Sequence, residues 1–275
     1  NSLLIIRYLQ FCTAETAFTF IRELWEISDL ACRLEMLIAY NDKAAAAADR
    51  AYFERLCEEC VKELIWTESA IHDILPLKDD ELEKGLNDHR LLLVHLLSEL
   101  LKSIYDPSVI QVIFDIITND KSDLENEIFA LELLDITLDE NLKEMIKHTL
   151  EPTSLENKKQ KLQKMFHIYL ISPKERLVDI LMKDYNLVDP GLKELVLEKY
   201  YKLYGDKKVL TAFRSSSIEN LRATADELLT SVNDTAYHAR LDMSRKVQDR
   251  YVCTVPYTAW LLNHAIASAQ KQRSA

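Results

Sequence analysis

Cys57-Glu58-Glu59-Cys60 has the Cys-x-x-Cys spacing used by a redox couple or by half of a zinc site. Zinc needs two further ligands, and neither a second such pair nor a closely spaced histidine pair follows. Cysteines three apart within a helix share one face and pack well, so these two read as core. His89 and His95 are six apart, not the four that set two imidazoles on one helical face. Histidines 72, 148, 167, 238 and 264 stand singly. Three glycines (Gly85, Gly191, Gly205) cannot build a phosphate loop. Ser215-Ser216-Ser217 lacks a strand-turn-helix elbow and reads as a helix cap rather than a nucleophile. Asp79-Asp80-Glu81 and Asp139-Glu140 are carboxylate groups on adjacent residues, which do not face each other on a helix; they complement helix dipoles. No residue is assigned as catalytic, cofactor-binding or metal-ligating, and no enzymatic activity is expected.

Two charged features remain. Residues 106–151 hold twelve Asp/Glu against Lys121, Lys143 and Lys147, and within them Glu125, Glu127 and Glu132 are the candidate acidic docking edge for a basic partner. Lys158, Lys159, Lys161 and Lys164, followed by Phe166 and Tyr169, are a candidate basic patch. A second basic cluster, Arg240, Arg245, Lys246 and Arg250, lies near Tyr237 and Tyr251. Basic residues interleaved with aromatics can track a nucleic-acid backbone or an anionic membrane. The net charge of −11, divided as −8, −6 and +3 over residues 1–105, 106–205 and 206–275, argues against general nucleic-acid binding. A protein partner is the expectation instead. An odd number of cysteines (Cys12, Cys32, Cys57, Cys60, Cys253) suits a reducing, cytoplasmic compartment. No secretory leader opens the chain, and Val252–Gln270 is too polar for a spanning helix.

The elements that must position these residues are helices. Glycine at 3 and proline at 6 in 275 residues leave too few turn-formers for sheets, so the fold class is all-α with no β-sheet. Leu124, Ile128, Leu131, Leu134 and Leu138 form a one-sided stripe, as do Ile218, Leu221, Ala225, Leu228 and Val232. The alanine run 44–48 has high helix propensity and is expected to start a helix running toward Leu75. Helix-start signals at Asp106-Pro107, Asp139-Glu140, Ser172-Pro173 and Asp206-Lys207 recur every 33 or 34 residues. A second breaker divides each interval: Asn119-Asp120, Pro152-Thr153, Asp189-Pro190-Gly191 and Ser215–Ser217. Two-helix units at this spacing predict a right-handed α-solenoid of antiparallel pairs. One domain spans 1–275: longer irregular pairs over 1–105, regular repeats over 106–232 and C-terminal capping helices over 233–275. The expected core includes Trp25, Leu34, Leu93, Leu97, Ile113, Leu131, Leu134, Leu195, Leu221 and Trp260.

In Asp189-Pro190-Gly191-Leu192-Lys193 and Ile218-Glu219-Asn220-Leu221-Arg222, a polar turn is followed by an aliphatic and then a basic residue. This resembles the second helix of a HEAT repeat. The segments Leu100–Pro107, Ala130–Asp135 and Leu150-Glu151-Pro152 resemble the HEAT region that follows the membrane domain in bacterial proteins similar to nucleotide (ATP/ADP) exchange transporters. The resemblance implies a non-enzymatic scaffold for protein–protein interaction, the cytoplasmic part of a larger membrane-linked protein. It assigns no site residue and no cofactor. The alternative is a HEAT-like DNA glycosylase or another nucleic-acid-binding protein.

Overall fold

A computed structural model describes residues 8–43, 49–119, 124–162 and 165–231, which are helical with no strand among them. The order is α1 (Ala14–Leu24), a 3-10 turn (Trp25–Ile27), α2 (Leu30–Asn41), α3 (Arg50–Ile74), a second 3-10 turn (Leu75–Leu77) and α4 (Asp80–Lys102). There follow α5 (Pro107–Ile117), α6 (Leu124–Thr137), α7 (Glu140–Leu150), α8 (Leu155–Leu162), α9 (Pro173–Met182), α10 (Pro190–Tyr204), α11 (Lys207–Phe213) and α12 (Glu219–Ser231).

Local chemistry explains where these helices begin. Asp29, Asp49, Asp79, Asp106, Asp189 and Asp206 each accept a backbone N–H of the first turn they precede, at 2.7–3.1 Å. Ser172 and Glu175 form a reciprocal capping box ahead of α9, with Pro173 at its first position. Asp139 precedes α7 without a side-chain cap bond; its carboxylate instead meets Arg50 and the Tyr105 hydroxyl. Gly205 ends α10 at φ +62°, where a side chain would be strained. The starts at Pro107, Glu140, Pro173 and Lys207 keep the 33–34 residue interval expected.

The start of α3 differs from expectation. Asp49 is extended and caps Tyr52, so the helix begins after the alanine run, whose residues 44–48 lie outside the described ones. Residues 233–275, including Trp260, also lie outside.

Packing centres on the antiparallel hairpin of α3 and α4, the two longest helices. Its two halves serve two cores. Phe53, Leu56, Cys57 and Leu64 from the start of α3 join Leu93, Leu97 and Leu101 from the end of α4 in a core completed by α1, α2 and α5–α8. Ala70 and Ile74 with Leu82 and Leu86 join a second core formed with α9–α12. Thus α9 packs on α3, and α10 on α4, across more than 100 residues of sequence. Gly85 permits the second approach, because a Cβ there would stand 3.0 Å from Leu192 Cδ1. Contacts of this hairpin are therefore not confined to the helices next to it in sequence. Of the expected core, Trp25, Leu34, Leu93, Leu97, Ile113, Leu131, Leu134 and Leu221 are buried, and Leu195 is half-buried against the second core.

Candidate functional site

Cys57 and Cys60 are fully buried and unpaired, and burial pushes both thiols well above their ordinary range. Cys60 Sγ donates to the Leu93 carbonyl at 3.4 Å across the hairpin. They pack α3 on α4, as the sequence suggested. Among the described residues, no group of His, Cys, Asp and Glu could hold a metal ion.

The basic patch is not a continuous surface. Lys158 is buried: its Nζ donates to both Glu68 carboxylate oxygens at 2.8 and 2.9 Å and to the Thr149 carbonyl at 2.7 Å. Burial lowers its pKa. Lys161 pairs with Glu151, Lys159 is exposed and Lys164 lies outside the described residues. An open cleft of about 280 Å³ lies beside Lys158, lined by Glu68, Ile71, Arg90 and Glu151 among others. Its cations are already neutralised, Arg90 by Glu68 at 3.3 Å and Lys158 by the same carboxylate. An incoming anion would therefore compete with an internal one.

Charged groups also hold α9 against α3. Glu63, Trp66 and Asp73 on α3 meet Lys183, Asp179 and Arg176 in antiparallel order. Lys183 Nζ lies 2.8 Å from Glu63, the Trp66 indole N–H donates to Asp179 at 2.8 Å, and Arg176 donates to Asp73 from Nε and Nη2 at 2.9 and 2.8 Å. Lys183 Nζ sits 4.1 Å and Arg176 Cζ 5.9 Å from the centre of the Trp66 ring, and His89 meets the ring edge-on at 6.5 Å. Neither His89 ring nitrogen has a hydrogen-bond partner. Burial, with Lys183 nearby, lowers its pKa to about 4, so it is neutral at physiological pH. The six-residue spacing from His95 says nothing of this setting, because Trp66 and Lys183 are distant in sequence from His89.

The acidic edge takes a different form. Ala130, Leu131, Leu134 and Leu138 face the core from α6 and the residue after it, whereas Ile128, expected in the buried stripe, is 48% exposed. Phe129 at 49% and Ile136 at 81% share that outward side. Glu125 and Glu132 lie among them and are exposed; Glu127 is half-buried nearer the core. No ion pair involves Glu125, Glu127 or Glu132 among the described residues, whereas Asp135 meets Lys147 at 3.0 Å and Glu140 meets Lys143 at 2.9 Å. Because α6 is apolar on two sides, periodicity alone could not choose the buried one.

Compared with family models, curated proteins and solved structures, the chain has no match. Among the described residues, no helix is long and apolar enough to cross a membrane. The described residues form helices packed on a central hairpin, with no strand among them.

Proposed function

We propose that this chain is a non-enzymatic helical scaffold that binds another protein. The observation that carries the reading is the outward side of α6, where Ile128, Phe129 and Ile136 are exposed beside Glu125 and Glu132, which meet no cation among the described residues. A large apolar cluster at the surface is costly to keep exposed and is usual at interaction sites. Elsewhere, buried charges hold helices together: Arg176 with Asp73, and Lys158 with Glu68. The regular starts of α5, α7, α9 and α11 support HEAT-like helix pairs as the building unit. Cys12, Cys57 and Cys60, which form no disulfide among the described residues, support a cytoplasmic setting. Attachment to a transporter-like membrane domain rests on the sequence resemblance alone, and the full-length gene product tests it.

The nucleic-acid alternative is separable by titrating the full chain into labelled duplex DNA at low and high salt. The scaffold reading expects a flat titration, in keeping with the −11 charge. Binding that weakens steeply with salt would favour the alternative.

A further inference from the structure

We propose that the outward face of α6 is a docking strip for a basic amphipathic helix of a partner protein. The proposal rests on the scaffold reading and adds the chemistry of the partner. Glu125, Ile128, Phe129, Glu132 and Ile136 fall at i, i+3, i+4, i+7 and i+11, a spacing that aligns them on one helical face. The opposite face is occupied, with Ala130 and Leu134 wholly buried. This helix is therefore apolar on two sides and covered on only one. Single exposed apolar residues are ordinary; a stripe at helical spacing is an unfilled half of a helix–helix contact.

The carboxylates select the occupant. A partner helix seated on Ile128, Phe129 and Ile136 brings its margins against Glu125 and Glu132, neither of which has a cation of its own among the described residues. Lys or Arg at those margins would pair with them. A neutral or acidic helix would leave two carboxylates partly desolvated and unpaired, which is strongly unfavourable. Phosphate backbones are repelled by the same charges. The occupant is therefore apolar along one seam and basic along its borders.

The probe is a fluorescein-labelled peptide of about 18 residues, the length of five helical turns, with leucines in a helical seam and lysines elsewhere. Two control peptides keep its length: one scrambled to destroy the seam, one with glutamate for lysine. Anisotropy titrations use the full chain and two double variants, Phe129→Ser with Ile136→Ser and Glu125→Gln with Glu132→Gln. All four side chains point outward, and circular dichroism verifies folding. The seam peptide should bind, the serine variant should weaken it by about tenfold or more, and the glutamine variant should remove most of the salt dependence. Equal binding of the scrambled peptide, or affinity unchanged in both variants, would overturn the proposal. So would concentration-dependent self-association in sedimentation velocity that Phe129→Ser abolishes, since the strip would then serve a second copy. Salt-steep DNA binding would sink the scaffold reading itself; a flat DNA titration with an indifferent strip sinks only the strip.

Discussion

Replacing His89 by leucine should flatten one section of the acid-unfolding curve. His89 is 4% exposed, has no hydrogen-bond partner for either ring nitrogen, and lies within the field of Lys183. Its pKa falls from 6.5 to about 4 on folding. The unfolded chain therefore takes up the proton first as pH drops. The stability contributed by this difference is whole above about pH 6.5, declines as the pH falls below that, and is gone near pH 4. A displacement of about 2.5 units corresponds to about 3 kcal/mol in full, and about 2 kcal/mol of it is lost by pH 5. At neutral pH, leucine removes two unpaired polar atoms from the interior at similar bulk, so the variant should be as stable as the parent or slightly more so. Urea unfolding followed at 222 nm, at pH 7.5, 6, 5 and 4.5, gives the difference between the two proteins and cancels the carboxylates they share. If both lose stability in parallel below pH 6.5, His89 is either solvated or partnered, and the argument fails.

Other expectations follow from single contacts. Asp73→Asn removes one of the two carboxylates that hold the buried Arg176 guanidinium, Asp179 remaining at 2.6 Å from Nη1, and should cost about 1–3 kcal/mol in denaturant unfolding, while Asp73→Leu with Arg176→Met should recover most of it. Leu134→Ala, fully buried in α6, should cost about 2–5 kcal/mol, and Ile136→Ala, two residues away but 81% exposed, less than about 0.5 kcal/mol. Equal costs for the two would mean that α6 is rotated. Iodoacetamide under native conditions should spare Cys57 and Cys60, because burial suppresses their thiolates; mass spectrometry of the alkylated chain checks this.

Helix starts were legible because caps act over three residues. Asp106-Pro107, Ser172-Pro173 with Glu175, and Asp206 carry their own signals, and each helix begins beside them. Asp49 caps α3 by the same local chemistry, through one bond to Tyr52. The burial of Lys158 is not legible in this way. Four lysines within seven residues read as a solvated patch, yet the carboxylate that buries one of them is Glu68, ninety residues earlier. That failure is one of range: short-range chemistry is written beside the residue it affects, and long-range pairing is not.

The same distinction explains the architecture. A 33–34 residue rhythm describes how the second half of the chain is cut into helices, but leaves open what those helices rest on. They rest on α3 and α4, whose 25 and 23 residues outrun one core and reach into a second. Apolar residues along α3 therefore face different partners in its two halves, Leu56 and Leu64 toward the first core and Ala70 and Ile74 toward the second. Near the junction of the two halves, Glu63 and Trp66 meet Lys183 and Asp179 and fix α9 against the hairpin. Outside the hairpin, the Asn186 side-chain amide donates to the Glu26 carbonyl at 2.6 Å, tying the loop after α9 to the turn after α1. A hairpin shared in this way couples the two cores, because neither can lose α3 or α4 without exposing the other. The acidic, apolar strip of α6 lies on the core side that holds α1, α2 and α5–α8, so a partner seated there adds contacts to a frame whose helices are already fixed.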